Sequence, residues 1–281
     1  MSDFAIGVML DSFRLPVREA LKKAREVGAN GVQIYATKGE MAPEALSAHA
    51  RKELLARIHD EGLVVSALCG DLGMGFGNRE KNPELIDRSK RILDLACDLE
   101  TKVVTTHIGV VPEHEDHPRY AVMQQACAAL AEYADSLSAH FAIETGPEPS
   151  ERLRKFLDSL GSRGVAVNFD PANLQMVWKE DAAAAVKNLA PYIVHTHAKD
   201  GRQLYFRSPE EIYGIVQPEP DAVIPPSFEE LPLGEGDVDF KDWLDALRGI
   251  GYNSFLTIER EVGGNPEADI RKAVEYLQTL I

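Results

Sequence analysis

The chain has 281 residues, 44% of them hydrophobic, and a formal net charge of −15 at neutral pH. An acidic surface without a basic stripe repels a nucleic acid backbone, so the composition argues against a nucleic-acid enzyme. There is no run of about 18 apolar residues, which excludes a membrane-spanning helix. The length of the chain fits one α/β barrel or two small domains.

The N-terminus and the cysteines indicate a cytoplasmic protein. Asp3 stands where a secretory signal would carry basic residues, and the following stretch FAIGVML is typical of a first strand. Cys69, Cys97 and Cys127 are odd in number and widely spaced. This pattern favours reduced thiols over a disulfide framework.

Strand-like and helix-like stretches alternate along the chain. The predicted strands are 5–10, 31–35, 64–69, 102–107, 141–144, 164–170, 192–197 and 255–259. The predicted helices are 17–27, 43–60, 83–99, 121–137, 150–160, 181–189, 240–249 and 266–280. Eight such pairs predict an α/β fold with a parallel sheet, closed as a (β/α)₈ TIM barrel in a single domain, 1–281. An open doubly wound sheet is the alternative, but no GxGxxG motif follows the first strand.

One segment interrupts this alternation. Residues 200–239, after the seventh predicted strand, are rich in Pro, Gly and acidic residues. Loops of this length are uncommon and often act as lids or binding elements. Tyr205, Phe206 and Tyr213 give the segment apolar surface with which to cover a site. An irregular surface insertion, used in contacts between copies of the chain, is the alternative.

Four predicted strands end on a metal-capable side chain: Glu144, Asp170, His197 and Glu259. Side chains alternate along a strand, and this alternation turns all four toward the barrel interior. Singly, each has an ordinary interpretation as a helix cap, a turn residue or a structural imidazole. Together, inward carboxylates would repel one another without a cation, so the set predicts one divalent metal ion: Mn²⁺, Mg²⁺, Co²⁺ or Zn²⁺.

These motifs resemble the xylose-isomerase-like TIM-barrel superfamily, which includes sugar isomerases and epimerases, inosose dehydratases and endonuclease IV. The matching stretches are THIGV at 106–110, AIETG at 142–146, NFDPAN at 168–173, VHTHAKD at 194–200, and residues 233–261. The resemblance implies that Glu144, Asp170, His197 and Glu259 bind the metal. It also implies that Glu144 and Glu259 are the catalytic acid/base pair.

Five further residues are candidate substrate contacts. His107 and His195 lie at the predicted barrel mouth, and Lys199 follows in HAKD, where a surface Lys–Asp pair is the alternative. The resemblance suggests Arg202 as a substrate clamp. Asn173 stands where ketose 3-epimerases carry His; it can bind a hydroxyl but ligates metal poorly.

Other departures from the superfamily narrow the function. Gln33 replaces a Glu common among relatives, and Cys69-Gly70-Asp71 provides no His for a further metal. A three-zinc nuclease centre therefore cannot be assembled. Gly263-Gly264-Asn265-Pro266 could hold a phosphate on backbone N–H groups or simply cap the last helix.

The resemblance therefore implies an isomerase or epimerase that acts next to a carbonyl on a sugar or sugar-derived substrate through an enediolate. A metal-dependent dehydratase or lyase is the first alternative, and a non-catalytic sugar-binding relative is the second. We expect a small-molecule substrate as the partner, with neither nucleic acid nor membrane involved, and homo-oligomers as an option.

Overall fold

A computed structural model describes residues 4–219 and 222–281. Residues 1–3, which include Asp3, lie outside the described residues. So do residues 220–221, which fall within the predicted loop 200–239. In the part of the chain that the structure describes, no helix combines the length and apolarity needed to cross a membrane.

Eight parallel strands close into a barrel, in the order β1-β10-β7-β6-β5-β4-β3-β2, which confirms the predicted (β/α)₈ TIM barrel. Two further strands, β8 and β9, pair antiparallel outside the barrel. The strands are β1 Ala5–Met9, β2 Gly31–Tyr35, β3 Val64–Cys69, β4 Val103–Thr106, β5 His140–Glu144, β6 Val165–Phe169, β7 Ile193–Ala198, β8 Asp200–Gln203, β9 Phe228–Leu231 and β10 Phe255–Ile258.

The helices surround this barrel. They are α1 Val17–Glu26, α2 Ala48–Asp60, α3 Asn82–Asp98, α4 Pro118–Ser136, α5 Ser150–Asp158, α6 Pro171–Trp178, α7 Ala182–Leu189, α8 Pro209–Ile212, α9 Phe240–Gly249 and α10 Pro266–Gln278. Two short 3₁₀ helices, Leu10–Phe13 and Gly39–Met41, follow β1 and β2.

One predicted helix begins later in the structure, and two helices were not predicted: α6, and α8 within the predicted loop 200–239. The predicted helix 43–60 begins only at Ala48, because the Ser47 hydroxyl accepts the N–H of Ala50 and so caps the helix there. Helix α6 was missed. It begins directly after Asp170, whose carboxylate accepts the N–H of Asn173, with Pro171 in the first turn.

Alternation along the strands separates the apolar core from the polar interior of the barrel. In β6, Val165, Val167 and Phe169 pack into the apolar cluster beneath the helices. Asn168, between them, is fully buried among polar side chains of neighbouring strands. Burying each such apolar side chain contributes about 1.5–3 kcal/mol, which fixes the strand register and therefore the direction of Asn168.

The segment 200–239 is anchored by Asp200. Its buried carboxylate accepts N–H groups of Gly201, Gly234, Gly236 and Val238. A Cβ on Gly236 would lie 2.1 Å from Asp200 Oδ1, so the approach requires glycine. The start and end of the segment are thereby held together beside β7.

Candidate metal centre

Glu144, Asp170, His197 and Glu259 lie together at the carboxyl ends of β5, β6, β7 and β10. One ligand atom from each lies within 4.8 Å of those from the others. The two glutamates are 7% exposed and the other two residues are fully buried. The structure therefore brings together all four predicted ligands at the face of the barrel where such enzymes carry their chemistry.

Local hydrogen bonds place the first two carboxylates. Thr145 Oγ1 donates to the carbonyl of Asp170 at 2.9 Å and accepts its N–H at 2.8 Å, which joins the ends of β5 and β6. The Glu144 carboxylate accepts from the amides of Asn168 and Asn173, each at 3.0 Å. Gly146 allows the close approach of Asn173, since a Cβ there would lie 2.5 Å from that side chain.

The donor set fits a hard or borderline divalent cation. His197 Nδ1 lies 3.5 Å from Glu144 Oε1, 3.5 Å from Asp170 Oδ2 and 3.4 Å from Glu259 Oε2. Asp170 Oδ2 is buried and has no hydrogen-bond partner among the described residues. A buried carboxylate oxygen without a partner is costly, and a cation bound by the same three carboxylates would satisfy it.

Gln33 of β2 sets the orientation of the His197 ring. Its Nε2 lies 3.1 Å from Gln33 Oε1, and Gln33 Nε2 donates to Thr105 Oγ1 at 2.9 Å. With the amide in this orientation, Nε2 of His197 donates to Gln33, which leaves Nδ1 to face the carboxylates and to bind a metal ion once its own proton is displaced. Gln33, noted in the sequence as a departure from relatives, thus positions a candidate ligand.

The local field is strongly negative. Burial opposes a charge on His197, but Glu259 and Glu144 outweigh it and hold the His197 pKa well above its usual value. Burial also raises the pKa of Glu259, but Lys199 and His197 outweigh it and hold that pKa well below its ordinary range. Burial, opposed more strongly by His197 and His107, leaves the pKa of Glu144 lowered. These carboxylates are ionised and the position between them favours positive charge.

His195 lies beneath the metal group and does not line the cavity. Its Nδ1 is 2.9 Å from Asn168 Oδ1 and its Nε2 is 3.0 Å from Thr257 Oγ1. Burial and the neighbouring His197 keep its pKa well below the usual value, so the ring is neutral. This position does not support the predicted substrate contact; His195 instead orients Asn168 and, through it, Glu144.

A cavity of about 280 Å³ opens above the metal group. His107, Asn173 and Lys199, three of the predicted substrate contacts, line it together with Glu144 and Glu259. The remaining lining residues are Tyr35, Cys69, Asp71, Met176, Val177, Ile212, Tyr213, Phe228, Glu230 and Glu261. Arg202 is not among them. It pairs with Glu229 on the hairpin surface at 2.9 Å, a position that does not support a substrate clamp.

Lys199 is buried among acidic residues. Its Nζ lies 2.9 Å from Glu259, 2.5 Å from Glu261 and 3.8 Å from Glu230. Burial lowers the pKa of Lys199, but Glu259 and the other carboxylates raise it further, to well above the usual value. The ammonium group therefore stays charged, and the predicted alternative of a surface Lys–Asp pair is wrong.

The sequence did not single out Glu230. It comes from the segment 200–239, where no periodic pattern indicates which side chains turn inward. Tyr213, named in the sequence as part of a cover over the site, does line the cavity. The Tyr213 ring lies 5.7 Å from the ring of His107. Tyr205 and Phe206, which were expected beside Tyr213, are 38% and 60% exposed and do not line the cavity.

Comparison with known proteins gives consistent matches over most of the chain. A family model described as xylose isomerase-like TIM barrel matches residues 21–280. The putative L-ribulose-5-phosphate 3-epimerase SgbU of Escherichia coli (strain K12) is 24% identical over 245 residues, which cover 83% of this chain and 79% of that protein.

Solved structures show the same fold. A xylose isomerase domain protein from Planctomyces limnophilus has a TM-score of 0.78 and 24% identity, covering 99% of this chain and 96% of that chain. The probable 3-DHS dehydratase AsbF from Bacillus anthracis has a TM-score of 0.72 and 17% identity, covering 98% of each chain. At these identities the structural likeness shows the fold alone.

Proposed function

Because the chain belongs to the xylose isomerase-like TIM barrel family, we propose that it is a divalent-metal-dependent isomerase or epimerase. It acts next to a carbonyl on a sugar or sugar-derived substrate, in the cytoplasm. The observation that carries the proposal is that Glu144 and Glu259 both belong to the metal group and both line the cavity. A non-catalytic sugar-binding relative would have no use for such a pair.

Glu144, Asp170, His197 and Glu259 would hold the ion. When bound, a divalent cation polarises the substrate carbonyl, lowers the pKa of the adjacent C–H and stabilises the enediolate. Lys199 keeps Glu259 ionised, ready to remove a proton. Glu144, held by Asn168 and Asn173, is the group that returns a proton to carbon from the other side. It obtains that proton from His107, whose Nε2 lies 3.5 Å away and whose raised pKa favours the charged form. An exchange of roles between the two carboxylates gives the reverse reaction.

The remaining cavity residues orient the substrate and limit the access of water. His107 Nε2 lies 3.5 Å from Glu144 Oε1, while its buried Nδ1 has no partner among the described residues. His107 and Asn173 are suited to bind substrate hydroxyls. Met176, Ile212 and Phe228 provide apolar walls that protect an enediolate from solvent.

A dehydratase is the second candidate, and His107 is the observation that favours it. Burial lowers the pKa of His107, but Glu144, Asp71 and Glu259 together raise it above its usual value. A protonated imidazole at the cavity wall is suited to give its proton to a departing hydroxyl. The same enediolate would then lose water and would not be reprotonated on carbon.

Turnover in D₂O tests the proposal. We expect metal-loaded protein to convert a ketose or keto-sugar into a product of unchanged mass apart from deuterium taken up at carbon, measured by mass spectrometry. Glu144→Gln and Glu259→Gln should each lower kcat by at least about 100-fold. Consistent loss of one water would replace the isomerase with the dehydratase. Activity that survives in both variants would remove the acid/base mechanism.

A further inference from the structure

Three donors at the end of β10 converge on one internal carboxylate. Glu230 Oε1 accepts from Arg260 Nη1 at 2.7 Å, from the N–H of Glu261 at 3.1 Å and from the N–H of Val262 at 3.4 Å. Glu230 is 9% exposed and comes from β9, which the segment 200–239 brings beside the barrel. Its other oxygen, Oε2, faces Lys199 in the cavity.

These donors lie after the last barrel strand, in the region where TIM barrels frequently bind phosphate on backbone N–H groups. Two successive amides with a guanidinium are the groups that bind an anion. Here a carboxylate of the chain itself occupies them. The rest of the loop is also engaged: Arg14 donates to the carbonyls of Glu261 and Gly263, and Asn265 caps α10.

Among the residues that the structure describes, the cavity has no lysine or arginine that is free to bind a phosphate in place of the donors that Glu230 occupies. In the ranges 4–219 and 222–281, Lys199 is the one lysine or arginine that lines the cavity, and Glu259 and Glu261 already engage its ammonium group. The carboxylates that line the cavity are Asp71, Glu144, Glu230, Glu259 and Glu261. Even with a bound divalent cation, Lys199 and a protonated His107 counted together, the five carboxylates exceed the positive charge at the cavity wall.

The adjoining groove does not change this balance. A wider groove of about 930 Å³ shares Tyr35 and Asp71 with the cavity and contains Lys38 and Arg88. Its carboxylates are Asp11, Glu40 and Asp71, so the two cations there are outnumbered. A phosphate monoester carries about −1.5 to −2 charges at neutral pH, and setting it against this wall would be repulsive.

We propose that the cavity takes an uncharged, unphosphorylated polyol or keto-sugar and that Glu230 is the residue that excludes phosphate monoesters. The inference rests on the proposed function, because it assumes that the reacting end of the substrate lies at the metal group. The expected substrate distinguishes this chain from a relative such as SgbU, whose name includes a sugar phosphate.

Binding to Mn²⁺-loaded protein tests the inference without requiring turnover. Sorbitol and sorbitol 6-phosphate differ only in the phosphate group, and isothermal titration calorimetry measures both. We expect sorbitol to bind at least about tenfold more tightly than its phosphate. Tighter binding of the phosphate would overturn the inference. Binding of neither would overturn it as well, since a cavity made for neutral polyols must hold one.

Variants at Glu230 identify the cause. Glu230→Gln keeps the shape of the side chain and its acceptor oxygen but removes the charge; Glu230→Ala vacates the three donors. Both should raise the affinity for sorbitol 6-phosphate at least about tenfold and change that for sorbitol little. Glu229→Gln, on the exposed face of the same strand, is the control and should change neither. Equal phosphate affinity in Glu230→Gln and wild type would overturn the role of Glu230.

The two proposals fail in different ways. Preferential sorbitol binding without turnover of any ketose would contradict the proposed isomerase and support the inference. Turnover of a ketose phosphate in preference to the free ketose would support the isomerase and overturn the inference.

Discussion

Asp170 carries two separable tasks in one side chain. Its Oδ1 accepts the N–H of Asn173 at the start of α6, and its Oδ2 faces the metal group without another partner. Asp170→Asn preserves an effective helix cap but replaces an anionic ligand with a neutral one. We expect metal affinity to fall by more than the roughly 10–100-fold that loss of an outer-shell partner costs. Elemental analysis after dialysis at low free metal measures this.

A matched control is available at Asp181. Its carboxylate caps α7 by accepting the N–H of Ala184, and it lies away from the cavity. Asp181→Asn should retain metal at the wild-type level. Near-stoichiometric metal in Asp170→Asn under the same conditions would contradict the four-ligand site.

The pH dependence of metal binding follows from His197. Its raised pKa means that the imidazole holds a proton near neutral pH in the metal-free protein. A metal ion must displace that proton to use Nδ1. Apparent affinity should therefore rise with pH, about tenfold per unit while pH remains below the raised pKa, and level off above it. Titration with Mn²⁺ at several pH values measures the slope; affinity independent of pH would exclude His197 as a ligand.

At the level of single residues, the sequence predicts the candidate metal ligands better than the residues that hold or surround them. The four ligand residues were predictable because each lies at the end of a strand whose alternation sets its direction. Glu230 was not, since an irregular segment has no period from which the direction of a side chain follows. For the same reason Tyr213, which lines the cavity, could not be told apart from Tyr205 and Phe206, which do not. His195 and Arg202 were predicted as substrate contacts, but neither lines the cavity, because contacts with Thr257 and Glu229 from other strands hold their side chains elsewhere.

Among the elements of the segment 200–239, α8 and β9 both supply residues to the cavity wall, β9 through Phe228 and Glu230. Ile212, at the end of α8, and Tyr213, just after it, line the cavity, and a Cβ on Gly146 would lie 3.0 Å from the Tyr213 hydroxyl. Tyr205 instead donates its hydroxyl to Pro225 O on the outside of the hairpin. Only part of the segment 200–239 therefore lies over the cavity, and Tyr205 and Phe206 do not belong to that part.

Tyr213→Ala should lower kcat roughly tenfold, because loss of the ring admits water to the enediolate and loosens His107. Metal content should stay unchanged, since Tyr213 is not a candidate ligand. Tyr213→Phe, which keeps the ring, should remain close to wild type. Tyr205→Ala is the matched control on the exposed side. Steady-state kinetics measures kcat, and elemental analysis measures the metal content. Equal kcat in Tyr213→Ala and wild type would contradict a covering role for α8 and Tyr213.

The barrel elements were predictable within a few residues because β strands and helices have strong periods and clear Pro and Gly boundaries. Helix α6 was missed because no helix was predicted between the strand 164–170 and the helix 181–189, and only the cap formed by Asp170 shows that the chain continues as a helix. The strands β8 and β9 are held by the four N–H groups that donate to Asp200, and these contacts span up to 38 residues. Pairing over such distances is not contained in a local pattern.

For the whole molecule, fold and chemistry depend on the same eight strands. The predicted superfamily is confirmed by the family match, and the closed barrel explains why residues more than a hundred positions apart meet at one point. The chain has a net charge of −15, and the cavity wall is acidic like the chain as a whole. A site of this charge attracts cations and disfavours anionic ligands.

The final prediction concerns the stability of the whole barrel. Three buried carboxylates from β5, the end of β6 and the end of β10 repel one another, and in the metal-free protein His197, Lys199 and His107 offset them. A metal ion that binds only the folded chain at about 100 times its Kd adds about 2.7 kcal/mol to the free energy of unfolding. For a chain of this size, with an unfolding entropy of about 2.1 cal/mol/K per residue, that raises Tm by roughly 5 °C. Differential scanning calorimetry with Mn²⁺ and after chelation measures the difference, and Asp170→Asn, which should show little of it, is the control. An equal Tm with and without Mn²⁺ in wild type would contradict a metal centre built into the barrel.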